Sequence, residues 1–285
     1  MRTTSTVVSW SALPDLSAVA ALLGRDPEEV RGEVAALPGG VEGLALVEGG
    51  RVRALGLFVR TELASNGRCA LVWLSAPDAR AALELVAEGE ARARREGART
   101  LAVREKRVEG AGALLAARGY ARVDALVTMR RTRRRPVTPL PEGVVERALA
   151  EVGPDAWVEI ENGAFEQLPF AVRVTRADAD RQMAAPAFDP SLLRFLADGE
   201  GVLGMLRGVM GGDGTGEVES IGLAARARGR GLGRWLLRRC EALLDQRRAR
   251  EVVLRVAATN VPAVSLYRAE GYEEVSRDVA WERAV

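Results

Sequence analysis

Histidine does not occur anywhere in the 285 residues. Its absence excludes Ser-His-Asp and Cys-His nucleophilic schemes, histidine general bases and almost every zinc site. Lysine occurs once, at Lys106. A nucleoside triphosphate loop needs a lysine directly after its glycines, so that class is excluded as well. The two cysteines, Cys69 and Cys240, stand far apart in apolar segments and outside any metal-ligand spacing. They are expected to be buried thiols, with no disulfide and no metal. No apolar run approaches the ~18 residues needed to cross a bilayer. Residues 1–11 lack the charged start and apolar core of a signal peptide. The expectation is a cytoplasmic protein without membrane contact. The formal charge of +2 gives no ground for a nucleic-acid partner. Acid–base work falls to Glu, Asp, Tyr, Lys106 or water.

What the chain does contain is a repeat. Arg130, Arg131, Arg133, Arg134 and Arg135 run into Pro136, Pro139 and Pro141. Proline breaks helices and central strands, and the arginines repel one another. The segment therefore predicts an extended, solvated linker, with one domain over residues 1–135 and another over 136–285. On either side the order of elements is the same. In the first half, strands at 44–47, 54–58 and 70–73 precede a strand at 100–103, a helix at 108–118 and a closing strand that opens on Gly119-Tyr120. In the second half, strands at 192–196, 202–210 and 217–223 precede a long helix, a strand at 251–256, a helix at 262–270 and a closing strand from Gly271-Tyr272. An offset of 152 residues superposes the two closing segments, which indicates a duplicated unit. The fold class is α/β, a mixed sheet of α+β to α/β type in each of two tandem domains.

The chemistry concentrates after the strand at 217–223. Residues 224–230 lead to a helix from about Gly231 to Arg247, and this loop carries Arg226, Arg228, Gly229, Arg230, Gly231 and, just inside the helix, Leu232, Gly233 and Arg234. The first amides of a helix lack internal partners and carry partial positive charge. Glycines let the backbone approach an anion, and arginines add charge-assisted hydrogen bonds. The combination describes a diphosphate cradle. A dinucleotide fingerprint does not fit, because Gly229, Gly231 and Gly233 are spaced by two.

Arg228, Gly231 and Gly233, followed by Asn260, Ala263, Leu266-Tyr267 and Gly271-Tyr272, resemble the coenzyme A loop and downstream block of the GNAT superfamily of acyltransferases. The layout of the resemblance covers about residues 140–285 and its specific motifs 217–272. Ala225 stands where that family often has proline. The resemblance implies two tandem GNAT-fold domains, an arrangement similar to that of double-domain acetyltransferases of the mycothiol synthase type. Leu168-Pro169 departs from the motif of that group, so mycothiol synthesis is not inferred from it. The implied activity is N-acetyl transfer from acetyl-CoA, as acyl-donor cosubstrate, to a primary amine of a small molecule, by direct attack and without an acyl-enzyme or a metal. The rival reading is a catalytically idle acyl-CoA sensor or scaffold, which shares the loop. The chain is expected to act as a monomer or homodimer.

The same resemblance implies the roles of residues. Coenzyme contacts are expected from Ile221, Gly222, Leu223, Arg228, Gly229, Arg230, Gly231, Leu232, Gly233, Arg234, Asn260, Ala263 and Tyr267. Glu217 is expected as general base, with Glu219 as the alternative. Alternation along the strand would put both on one face with Ile221 and Leu223. Tyr267 is expected to protonate the leaving thiolate. In the first half, residues 76–81 hold no glycine, and Leu115 stands where the second half has Tyr267. That half is expected to be a degenerate domain without a coenzyme loop. Nucleic-acid binding through the arginine cluster is disfavoured, since no aromatic platform interleaves with the charges.

Overall fold

Strand-period and helix-period apolar patterns resolve into two compact units in the computed structural model, which describes residues 5–23, 26–35, 37, 39–105, 110–166, 173–185 and 188–285. Lys106, Val108, Leu168 and Pro169 lie outside the described residues. Unit 1 comprises Met1–Ala125 with Asp278–Val285, and unit 2 comprises Leu126–Arg277.

The first run of the chain gives β1 (Ser5–Ser9), α1 (Ser17–Leu23), α2 (Pro27–Ala35), β2 (Val41–Glu48), β3 (Arg51–Val59), α3 (Leu63–Asn66), β4 (Arg68–Ser75), α4 (Ala79–Arg95), β5 (Thr100–Glu105) and α5 (Ala111–Ala117). β6 (Ala121–Arg131) follows. The second run gives β7 (Val145–Ala148), α6 (Leu149–Val152), α7 (Pro154–Phe165), α8 (Arg176–Ala184), β8 (Leu193–Asp198), β9 (Gly201–Met210), β10 (Thr215–Leu223), α9 (Leu232–Gln246), β11 (Glu251–Ala257), α10 (Val261–Ala269) and β12 (Tyr272–Ala284).

In unit 1 the strands lie in the order β1-β2-β3-β4-β5 and the end of β12 completes the sheet, antiparallel to β5. In unit 2 the order is β6-β11-β10-β9-β8-β7, with β10 and β11 parallel and the other pairs antiparallel. The closing strands are thus exchanged: β6 follows the elements of the first half but pairs with β11, and β12 follows those of the second half but ends beside β5. This displaces the boundary expected at 135/136. Residues 126–135 pack in unit 2, and residues 278–285 pack in unit 1.

The expected extended linker is largely exposed over residues 132–141, but it is anchored at a few points. Arg131 forks onto Asp245 through two hydrogen bonds of 3.1 and 2.7 Å. Thr132 donates its N–H and its hydroxyl to the Gly271 carbonyl, and Trp235 donates to the Thr138 carbonyl at 2.8 Å. Asp245 and Glu241 on α9 hold the charge of Arg131, while Arg133 and Arg134 stay exposed. The segment stays extended because its prolines forbid anything else.

Each unit repeats one buried polar device. In unit 1, Tyr120 donates to Glu90 on α4 at 3.0 Å, and Arg283 reaches the same carboxylate at 3.3 Å. In unit 2, Tyr272 donates to Glu241 on α9 at 2.7 Å, with Arg131 at 3.8 Å. Gly119 and Gly271, just before the two tyrosines, have φ of 84° and 92°. The positive φ expected for a helix turning into a strand is therefore present in both.

Glu241 carries a pH prediction. Burial pushes its pKa up to about 7 from an ordinary 4.5, against the opposing pull of Tyr272 and Arg131. A raised carboxyl stabilises the fold most below the unfolded value and loses that contribution as pH rises through the folded value. Between pH 4.5 and 8 the wild type should lose roughly 2–3 kcal/mol from this group. Urea midpoints of wild type and Glu241→Gln across that range should diverge by this amount. Parallel curves would show that Glu241 does not titrate there.

Candidate functional site

β10 delivers the chain into residues 224–231, and α9 begins where Gly231 takes φ 78°. Gly229 has φ 75°. These left-handed positions wrap the loop around the helix start, a geometry that side chains with a Cβ resist. Gly231 is the N-cap residue, and no side chain caps the amides that follow it. Those amides are left for a ligand or water.

The arginines around the loop divide. Arg226 is committed to Asp198 through hydrogen bonds of 2.9 and 3.1 Å. Arg234 is held by Glu270 at 2.8 Å. Arg230 lines a separate recess of about 420 Å³ with Arg226, Asp198 and Glu200, which departs from its expected coenzyme contact. Arg228 and Arg230 have no ion pair with a carboxylate among the described residues, and of these two only Arg228 borders the main cleft.

That cleft, about 730 Å³, is bounded by Ile221, Leu223, Arg228, Gly229, Gly231, Gly233, Arg234, Asn260, Ala263, Leu266 and Tyr267. Its size suits a cosubstrate-sized ligand. Asn260 caps α10 by accepting from the Ala263 N–H at 3.4 Å, so these two expected contacts form one local structure at the rim. Tyr267 packs 5.9 Å from the Tyr272 ring. Burial among its neighbours pushes its pKa up to about 12, with Cys240 adding to the shift. It is therefore a phenol that keeps its proton. Besides Arg230, two expected contacts fall outside the cleft. Leu232 is 1% exposed and belongs to the core. Gly222 lies beneath α7, where a Cβ would come within 2.9 Å of Ala164.

β10 and β11 pair only from Thr215↔Glu251 to Val218↔Leu254, although both strands continue beyond. They splay there, and the edge of β10 from Glu219 to Leu223 is free on its β11 side. A bulge falls at the same place, where the pairing with β9 shifts between Val218 and Ser220. An extra residue in one strand reverses which side chains face which side. This overturns the expectation that Glu217 and Glu219 share a face with Ile221 and Leu223. Ile221 and Leu223 pack with the α9 core. Ser220 instead reaches Glu161 on α7, and Gly222 abuts Ala164 and Ile160.

Neither strand glutamate borders the main cleft. Glu217 is gripped by Arg255 through two hydrogen bonds of 2.8 and 3.1 Å. Glu219 pairs with Arg207 at 2.9 Å. Although 39% of the Glu219 side chain remains exposed, the crowding of protein around its carboxylate raises the pKa, with Arg207 opposing. Sequence reasoning missed Glu161, Arg207 and Ser220, which meet only through tertiary packing, and Glu166, which borders the cleft at the end of α7.

In unit 1 the corresponding helix start is closed from within. Asp78 caps α4 by accepting from the Ala81 N–H at 2.9 Å and pairs with Arg53 at 3.0 Å. A carboxylate thus already occupies the anion position. Leu115 is fully buried. A bulge persists in β4, where the register with β5 shifts between Leu71 and Leu74 and Trp73 adopts φ 56°.

The geometry of unit 2 agrees with comparison to known proteins. Residues 155–272 match the model of the Acetyltransferase (GNAT) family. The full chain has a tandem GNAT fold. It superposes on a GCN5-related N-acetyltransferase from Sphaerobacter thermophilus with a TM-score of 0.76 at 22% identity, covering 98% of this chain and 95% of that one. A tandem GNAT protein from the clavulanic acid biosynthesis pathway gives 0.70 at 18% identity, covering 99% and 98%. Among curated relatives, the mycothiol acetyltransferase of Clavibacter michiganensis subsp. michiganensis is 35% identical over 180 residues, 61% of this chain and 59% of that protein. The mycothiol acetyltransferase of Geodermatophilus obscurus is 34% identical over 187 residues, 61% and 60% respectively. The matched region spans about three-fifths of the length of these relatives. No helix among the described residues is long and apolar enough to cross a membrane.

Proposed function

We propose that unit 2 is an acetyl-CoA-dependent N-acetyltransferase that passes the acetyl group directly to a primary amine of a small molecule. The observation that carries this reading is an uncapped helix start with an unpaired Arg228, opening onto the cleft that Tyr267 bounds. The mycothiol acetyltransferases similar to this chain support acetyl transfer and a small-molecule acceptor.

The residues divide the work. The free amides at the start of α9, with Arg228, hold the diphosphate. The edge of β10 beyond the fork offers backbone groups to the pantetheine arm, and an N–H on that edge, near Leu223, polarises the thioester carbonyl. The amine attacks the carbonyl carbon after giving its proton to a carboxylate on the α7 face. Glu219 suits that role better than Glu217, whose two oxygens are both held by Arg255. The departing sulfur takes the proton of Tyr267.

Release of free thiol from acetyl-CoA, scanned over amino sugars, amino acids, polyamines and peptide N-termini, tests the reading. Coenzyme binding without thiol release against the whole panel would identify an idle binder instead. With an accepted amine, Glu219→Gln should lower kcat by about 10²–10⁴, and Glu217→Gln by less than tenfold. The reverse order would return the base to Glu217. Unit 1, degenerate in this reading, should bind no coenzyme because Asp78 fills its helix start. Calorimetry should give one acetyl-CoA per chain, and a stoichiometry of two would refute the degeneracy.

A further inference from the structure

Glu270 closes α10 and is 4% exposed, yet no step of the reaction above uses it. Its carboxylate takes two arginines from successive turns of α9. Arg234 Nε donates to Oε1 at 2.8 Å and Arg238 Nε donates to Oε2 at 2.7 Å. A second Arg238 nitrogen reaches Oε1 at 3.2 Å. Burial alone would raise the pKa of Glu270, but Arg238 and Arg234 outweigh it and hold the group below the ordinary carboxylate value. The carboxylate keeps its charge.

The two arginines are not used alike. Arg238 also donates to the Pro136 carbonyl at 3.3 Å and is 14% exposed, so its fork is spent on the fold. Arg234 is half-exposed, gives Glu270 only its Nε and borders the main cleft. The N–H groups of its terminal nitrogens, fixed in the guanidinium plane, have no partner among the described residues. Arg234 also stands in the first turn of α9, which holds no acidic residue and where the helix dipole disfavours a cation. Arg228 adds a second positive charge to the same cleft. One carboxylate shared by two arginines leaves a net positive charge there, which suits an anionic ligand.

We propose, on the acetyl-CoA reading above, that Glu270 is a positioning residue: by pinning Arg234 at Nε it aims the terminal guanidinium nitrogens at a phosphate of the coenzyme. Arg238 fixes the carboxylate, the carboxylate fixes Arg234, and Arg234 alone of the three meets the ligand. A side chain held in advance does not lose its rotamer freedom on binding.

The sign of one measurement separates this role from plain electrostatics. Removing the Glu270 charge makes the cleft more positive, and by charge alone that would tighten the binding of an anion. Positioning gives the opposite result. In Glu270→Gln the amide offers one acceptor oxygen, the more buried Arg238 keeps it, and Arg234 is released. Calorimetry with CoA should show a Kd raised about tenfold, and Arg234→Ala should lose at least as much. The double variant should be no weaker than Arg234→Ala, because Glu270 acts only through Arg234. With an accepted amine, KM for acetyl-CoA should rise in Glu270→Gln while kcat stays within about twofold. A parallel series with 3′-dephospho-CoA assigns the phosphate. An effect that vanishes there places Arg234 on the 3′-phosphate, and one that persists places it on the diphosphate.

Unchanged or tighter binding by Glu270→Gln, or losses that add in the double variant, overturn the proposal. If Glu270→Gln fails to fold, Arg234→Lys at its half-exposed position decides. Lysine keeps the charge but has no inner N–H, so its one ammonium must choose between Glu270 and the phosphate. Affinity should fall about tenfold, and wild-type affinity in this variant would overturn the proposal. Wild-type protein that binds no CoA sinks the acetyl-CoA reading, whereas binding that ignores these substitutions sinks only the role of Glu270.

Discussion

Gly231→Val should weaken acetyl-CoA binding at least a hundredfold in calorimetry while the chain still folds. Gly231 holds φ at 78°, and a Cβ built on it would meet no atom within 4 Å. The space around it is therefore open, so the variant faces no clash with its own protein. What it faces is backbone strain, about 1–2 kcal/mol for a side chain in the left-handed region and more when β-branched. Such a cost lowers Tm by about 2–8 °C in a domain of this size. Binding should suffer more, because the open space is the cleft itself. A branched side chain there would stand between the uncapped amides and the anion, and relaxation of the strain would rotate those amides away. Gly233→Ala is the control. Its Cβ would make ordinary contacts of 3.5 Å with Leu223 and 3.7 Å with Leu266, and Gly233 lies inside the helix without positive φ. It should cost binding less than tenfold. Equal loss in both variants, or full binding by Gly231→Val, would remove the helix start as the diphosphate cradle.

The contrast between these glycines also marks how far the sequence could be read. Gly229, Gly231 and Arg228 were legible because their meaning is local: a loop opening a helix needs only its neighbours in sequence. Tyr267 was legible through its place after Asn260 and Ala263 on a short helix. The closing strands were not. β6 and β12 have apolar residues suited to either sheet edge, and nothing local states which long-range partner each takes. The reach of Arg131 to Asp245 and of Thr132 to Gly271 reflects that choice, and both appear only in the folded chain. The bulge was invisible for a related reason. The burial along β10 keeps alternating through it, so sequence periodicity carries no trace of the slip between Val218 and Ser220. One inserted residue then moved Ser220 and Gly222 onto the glutamate face and invalidated a face assignment that rested on period two alone. Asp78 was open to a better reading. An aspartate just before a helix-period run is an N-cap signal, and it explains in one residue why the first helix start is closed.

Tyr267→Phe should lower kcat by about 10²–10⁴ and leave acetyl-CoA affinity within about threefold. The substitution removes one oxygen and keeps the ring, so the packing beside Tyr272 and the wall of the cleft survive. The phenol has no hydrogen-bond partner among the described residues, so the fold loses no bond when it goes. Stability should change by less than about 1 kcal/mol. On the proposed mechanism, what is lost is a proton at the sulfur. A thiolate expelled into an apolar wall is poorly solvated, and a donor there stabilises it as the C–S bond breaks. Because burial holds the Tyr267 pKa up at about 12, the group stays protonated across any practical assay range. The wild type should accordingly show no alkaline fall in kcat from this residue below about pH 11, and the loss in the variant should be the same at pH 7 and pH 9. A donor-independent thioester separates this role from a packing defect. With a synthetic acyl donor whose leaving thiol is strongly acidic, the departing sulfur needs no proton and the gap between wild type and Tyr267→Phe should close. A gap that persists with such a donor, or a variant with unchanged turnover on acetyl-CoA, would take Tyr267 out of the reaction.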